Sequence, residues 1–223
     1  MILPSGAGTG CKCGTAWRDF SGTEGKRSCK HQSGNRCTLC TTDYRGTGYA
    51  RRKGLDIPVV YNSSGYEKTE TLKLLEGYVD IYLPDLKYLD PELAQKFSNA
   101  PDYVQAAKAA IGEMVRQTGK CEFGEDGYIR TGTIVRHLIL PGHTGNSIKA
   151  LRYLHETYGE DIYISIMNQY TPVRKFVEFK ELNRKVTKRE YEKFWMLLWI
   201  WDSEWIYPGR RNCFRKLYSG FRL

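Results

Sequence analysis

Residues 57–83, IPVVYNSSGYEKTETLKLLEGYVDIYL, decide the fold of this chain. Ile57-Pro58-Val59-Val60-Tyr61 is a short apolar run without polar alternation, the pattern of a strand buried on both faces in a parallel sheet. Asn62-Ser63-Ser64-Gly65 follows with the chemistry of a turn. Residues 67–77 then place Leu72 and Leu75 at helical spacing, with Val79 continuing the stripe and Gly77 at a C-terminal cap. Val79-Asp80-Ile81-Tyr82-Leu83 is a second strand, stopped by Pro84. Strand, helix and strand in such short succession predict a right-handed crossover between parallel strands.

The same grammar extends outward. Pro101 opens a helix over 101–119, with Val104, Ala107, Ile111, Met114 and Val115 as its apolar stripe and Gly119 as its stop. A third strand is predicted over 133–140, a helix over 147–158, a fourth strand over 161–167 and another helical pattern from Val186. The fold class is therefore α/β with a parallel sheet, open or curled into a barrel. In either form ligands bind beyond the C-terminal ends of the strands. The residues there are Asn62, Ser63, Ser64 and Gly65, then Asp85 and Lys87, then Pro141, Gly142 and His143, then Asn168, Gln169 and Tyr170. Arg136 lies inside the third strand, where a charge requires a partner or a ligand. His137, on the opposite sheet face, is expected to be structural. His143 and His155 are read as loop and surface residues, and Cys121 as a lone loop thiol.

The chain has 223 residues and a net charge of +9, with 41% hydrophobic and 13% aromatic residues, a composition that excludes wholesale disorder. No run approaches the ~20 apolar residues of a membrane span, and residues 1–10 lack the pattern of a secretory signal, so a cytoplasmic protein is expected. The charge sits at the ends: seven basic and three acidic residues fall in 1–50, and six and three in 191–223. Of the seven cysteines, Cys11, Cys13, Cys29, Cys37 and Cys40 are N-terminal. One alternative function follows from them, a basic zinc- or nucleic-acid-binding module. Its ligand spacing is unusual, since Cys29, Cys37 and Cys40 offer only three thiolates with His31 nearby.

The phrases IPVVYNSSGYEKTETLKLLEGYVDIYLPDLKY, AQKFSNAPDYVQAAKAAIGEMVRQTG, IVRHLILPGH and YISIMNQYTP, in this order over residues 50–192, resemble radical SAM proteins of the pyruvate formate-lyase-activating-enzyme-like group. The resemblance implies a partial (β/α)6 TIM-like barrel, here incomplete, with a [4Fe–4S] cluster and S-adenosylmethionine as cofactors. In that family the cluster reduces the sulfonium, and a 5′-deoxyadenosyl radical then abstracts hydrogen from the substrate. It further implies that Ser63, Ser64 and Gly65 lie along S-adenosylmethionine and that Asp85 and Lys87 lie near cofactor and substrate. Arg136 would pair with the methionyl carboxylate, and Asn168 would approach the adenosine. Implied partners are a protein substrate such as a glycyl-radical enzyme and an electron donor of flavodoxin or ferredoxin type. Neither a membrane nor nucleic acid is expected as a partner.

The C-x3-C-x2-C loop that holds such a cluster is absent from the sequence; the nearest approach, Ser33-x3-Cys37-x2-Cys40, has serine in place of one thiolate. A shift of reading frame accounts for both odd ends. With suitable codons, residues 9–47 read in another frame spell helix, apolar strand and helix, resembling the barrel segment that precedes this middle in the family. Residues 202–222 treated likewise resemble the family's C-terminal end. The expected organisation is thus 1–49 as an atypical N-terminal segment, 50–192 as the barrel portion and 193–223 as an atypical tail, the whole a truncated, inactive and poorly folded fragment. A barrel that binds S-adenosylmethionine without catalysis is the remaining alternative.

Overall fold

A computed structural model of the chain describes residues 54, 57–172 and 174–204, with side chains of the final helix described as far as Met196. The N-terminal cysteine segment and the tail beyond Glu204 lie outside the described residues, and with them the expectations placed there. The elements run β1 (Val60–Ser63), α1 (Thr69–Lys73), β2 (Ile81–Pro84), α2 (Pro91–Ser98), α3 (Tyr103–Thr118), β3 (Glu122–Phe123), β4 (Ile129–Leu138), α4 (Thr144–Tyr158), β5 (Ile162–Met167), a 3-10 turn (Lys180–Asn183) and α5 (Lys188–Glu204).

The sheet is five-stranded. β1, β2, β4 and β5 are parallel in that spatial order, and β3 lies antiparallel against the start of β4. Each parallel strand thus neighbours the next parallel strand in sequence. With right-handed crossovers, such one-way progression sends every connecting helix to the same face. Burial agrees: Tyr82, Thr133, Val135, His137, Ile162 and Ile164 are buried on one face. The alternate residues Asn62, Leu83, Asp85, Ile134, Arg136, Leu138, Ser165 and Met167 remain partly accessible on the other. Under the covered face, Leu86, Ile111, Val135, Ile139, Leu151, Leu154 and Phe194 form the main core. Leu72, Leu75, Tyr82 and Met114 form a second cluster beneath α1. The α/β class and the parallel sheet agree with the sequence.

Several boundaries differ, for identifiable reasons. β1 starts at Val60 rather than Ile57 because its partner starts at Ile81: the Val59 carbonyl accepts the N–H groups of Asp80 and Ile81, and the Val59 N–H donates to the Asp80 carboxylate at 2.7 Å. Asn62 and Ser63 belong to the strand and not to the loop, paired with Leu83 and Pro84. Helix α2 adds to the elements expected from apolar periodicity, and Asp90-Pro91 is its start signal. The Asp90 side chain accepts the Glu92 N–H, Pro91 occupies the first turn, and Asn99 closes the helix at φ 50°. The third predicted strand starts earlier, at Ile129, because the turn at Gly124–Gly127 brings β3 alongside it. Among the described residues, no helix is long and apolar enough to cross a membrane.

Candidate functional site

Backbone register assembles the site. Asn62 lies opposite Leu83, Asp85 bridges to Arg136, and Arg136 lies opposite Ser165. Side chains alternate across a strand, so Asn62, Asp85 and Arg136 emerge together on the uncovered face near the C-terminal strand ends. The Arg136 Nε donates to Asp85 Oδ1 at 2.8 Å, and its Nη2 donates to Asn62 Oδ1 at 2.7 Å. Nη2 also lies 2.6 Å from the Asp85 carboxylate, with 27% and 24% of the two side chains exposed. The mid-strand charge therefore has a partner, as its position demands. The pair is open enough to solvent that its stabilisation is about 1 kcal/mol at most. Arg136 Nη1 donates to no group among the described residues. The rim thus offers a guanidinium edge and a carboxylate side by side, the complement of a ligand carrying both signs of charge, such as an α-amino acid head.

Two buried devices hold this rim in shape. Gly65 has φ +77°, and a Cβ built there would stand 2.1 Å from the Asp85 carbonyl oxygen, so the loop after β1 lies directly on the backbone after β2. Only glycine allows both the left-handed backbone and that approach. The Tyr103 hydroxyl, from the first turn of α3, lies 2.9 Å from the Asp85 carbonyl and 3.2 Å from that of Ser64, and accepts the Lys87 N–H at 2.9 Å. Tyr103 is 3% exposed, and burial pushes its hydroxyl well above the usual phenol range, so it stays a protonated donor.

The other expected site residues are distributed as follows. Ser63 is buried with its side chain toward the covered face. Its hydroxyl accepts the Gly65 N–H at 2.9 Å and donates to Glu67, whose carboxylate also accepts the Tyr61 hydroxyl at 2.8 Å. Ser63 therefore shapes the loop from behind. Ser64 is half-buried beside Gly65. Lys87 is half-buried and enters no ion pair among the described residues, while its carbonyl accepts the Asn146 amide at 3.3 Å. Asn168 is exposed immediately after β5. Asn62, Asp85 and Arg136 are joined by direct hydrogen bonds; Ser64, Gly65 and Lys87 are joined to Asp85 through Tyr103 and the backbone.

His137 is structural, as its position predicts. It is fully buried, with Nδ1 2.6 Å from the Leu86 carbonyl and Nε2 2.9 Å from the Ser147 hydroxyl. A carbonyl only accepts, so Nδ1 carries the proton and Nε2 accepts from Ser147. Desolvation lowers its pKa to about 4, against the raising effect of the Leu86 hydrogen bond. Sequence reasoning missed Tyr103, Glu67 and Asn146. A tyrosine opening a helix that faces two strand ends was the one available signal. Asn146 Oδ1 accepts the N–H groups of Leu89 and Asp90 at 2.9 and 3.2 Å, stapling the loop after β2 to α4.

Among the described residues no group of three or more His, Cys, Asp and Glu side chains is arranged to hold a metal ion. The one described cysteine, Cys121, is buried, and its thiol donates to the Thr133 carbonyl at 3.4 Å near the opposite end of the sheet.

No family model matches the chain, and no solved structure matches it. An uncharacterized protein of Methanocaldococcus jannaschii is 28% identical to it over 152 residues, covering 68% of this chain and 41% of that relative. The chain thus spans under half the length of the curated relative it matches.

Proposed function

We propose that this chain is a portion of a (β/α)6 barrel of radical SAM type, of the pyruvate formate-lyase-activating-enzyme-like group, and that its uncovered rim holds S-adenosylmethionine. The observation that supports this most directly is the Asn62–Arg136–Asp85 constellation on the uncovered face of a one-way parallel sheet. A parallel sheet ordinarily has both faces covered. A face left open with a charged pair at its C-terminal edge suits the interior of a barrel whose other strands are not part of this sheet.

In this role Arg136 takes the ligand's carboxylate and Asp85 its ammonium group. The loop at Ser64–Gly65 supplies backbone contact, with Lys87 and Asn168 flanking the rim. S-adenosylmethionine supplies a polarised sulfonium–carbon bond, the source of the 5′-deoxyadenosyl radical in the enzymes this chain resembles. The described residues do not fit the [4Fe–4S] cluster: its three thiolates have no counterpart at the rim, and Cys121 is buried away from it. The chain by itself therefore binds S-adenosylmethionine without cleaving it. Reduction by a flavodoxin- or ferredoxin-type donor and attack on a protein substrate, in the cytoplasm, belong to the complete barrel. In this proposal residues 1–49 and 193–223 are out-of-frame translation, against which stands Phe194, packed in the main core within the helix Lys188–Glu204; resequencing the locus tests that part.

Titration calorimetry of the full chain with S-adenosylmethionine tests the binding. Saturable heat that disappears in Arg136→Gln supports the proposal, and no heat with the folded wild-type chain overturns it. Formation of 5′-deoxyadenosine after reconstitution with iron and sulfide, under a strong reductant, would overturn the claim that the chain alone is inactive.

A further inference from the structure

The segment that follows β5 carries a second feature, independent of what the rim binds. Residues 174–193 hold eight Lys and Arg against four Glu, and every one of those cations is exposed. Asn183 clasps the segment into a closed loop: its Oδ1 accepts the Phe176 N–H and its Nδ2 donates to the Phe176 carbonyl, both at 2.6 Å. The clasp draws Arg174 and Lys175, before the loop, toward Arg184 and Lys185, after it. Lys188 and Arg189 follow in the first turn of α5, where the helix dipole disfavours positive charge. Arg184 pairs with Glu190 at 2.7 Å and Lys188 with Glu192 at 3.6 Å, while Glu181 is taken by Lys96 at 2.9 Å. Arg174, Lys175, Lys180, Lys185, Arg189 and Lys193 have no carboxylate partner among the described residues.

The loop is anchored, so these charges are held in place. The Tyr170 hydroxyl donates to the Leu182 carbonyl at 2.9 Å, Phe179 packs edge-on to Phe97 at 5.2 Å, and Glu190 accepts the Gly142 N–H at 2.8 Å. At its tip Val177 is 85% exposed, next to Phe176, which lies under the Arg174 guanidinium. Gathering like charge around a fixed neck and at a helix N-terminus opposes stability, and such local conflict marks a functional surface.

We propose that this clasped loop and the start of α5 form a docking surface for the acidic, partly apolar face of another protein, seated beside the rim. An exposed apolar tip on a loop whose neck carries cations combines the two contacts of a protein interface, apolar burial and complementary charge. The exposed Val177 at the tip offers apolar contact that a phosphate backbone does not use, so the surface favours an acidic protein face over a nucleic acid.

The test uses the full chain and a labelled synthetic peptide in which Glu and Asp alternate with Leu and Phe, read by fluorescence anisotropy. Binding is expected to weaken about tenfold between ~0.05 and ~0.2 M salt. The double variant Lys175→Glu/Lys185→Glu is expected to lose about tenfold in affinity or more, Val177→Ser severalfold, and Lys149→Glu, an exposed control on α4, nothing. All three variants change exposed side chains, and unchanged melting temperatures confirm their folds. Absence of peptide binding, equal binding by the double variant, or tighter binding of single-stranded DNA through the same lysines would each overturn the proposal.

Discussion

Arg136 illustrates how a single side chain records what a strand is for. Its guanidinium joins Asp85 from the next strand and Asn62 from the one beyond, and more than a quarter of its surface stays open. Replacing it with glutamine is expected to change stability by no more than about 1 kcal/mol, because the pair is exposed, while abolishing S-adenosylmethionine binding. Urea denaturation and calorimetry on the same preparation check both halves. Gly65 behaves in the opposite way. Alanine there must adopt φ +77° and overlap the Asp85 carbonyl, so Gly65→Ala is expected to destabilise by at least about 2 kcal/mol. His137 sets a pH limit. Its folded pKa of about 4 lies below the ordinary 6.5, so the unfolded chain takes up its proton first as pH falls. The stability it permits is full above about pH 6.5 and declines toward pH 4, by about 3 kcal/mol in all. Glu113, held at about 2 chiefly by its hydrogen bond from Arg116, adds a further loss only below its usual range near 4.5. Denaturation midpoints measured between pH 7 and 4 should show the first decline beginning near 6.5, and His137→Gln should flatten it.

At the scale of elements, α3 does more than cover the sheet. Its first residue, Tyr103, ties together Ser64, Asp85 and Lys87, the ends of two different strand connections. Tyr103→Phe keeps the ring packing and removes that tie, at an expected cost of about 1–2 kcal/mol for the unpaired buried groups. The Lys87 amide should then exchange with deuterium faster, with amides in the centre of α4 unaffected. Residues 101–119 were plain as a helix from the 3.6-residue stripe of Val104, Ala107, Ile111 and Met114, and the parallel strands from their apolar runs. Asp90-Pro91 is a start signal that α2 carries without a long apolar stripe, and the ends of β1 depend on where β2 begins, which no property of residues 57–63 encodes. Asp85 and Arg136 could each be placed at a strand end or in mid-strand, yet their mutual contact is a matter of register between strands fifty residues apart in sequence.

Across the described residues as a whole, the decisive property is a sheet with helices on one face and no described helix on the other. The apolar residues Leu83, Ile134, Leu138 and Met167 of the open face belong to neither core cluster. Ile134→Ala is therefore expected to cost less than about 1 kcal/mol, whereas Ile162→Ala, fully buried under the helices, should cost about 3 kcal/mol. Equal costs in denaturant titrations would mean that residues outside the described set cover the face. The α/β class, the parallel sense of the strands and the candidates along one rim were legible in the sequence, because apolar periodicity and turn residues are local and survive without knowledge of contacts. Tertiary structure alone settles that the strands advance in one direction, that Ser63 turns away from the rim while Asn62 joins it, and that no described helix covers one face. Those outcomes depend on pairing register and strand order, which are set by long-range packing and not by any short stretch of chain.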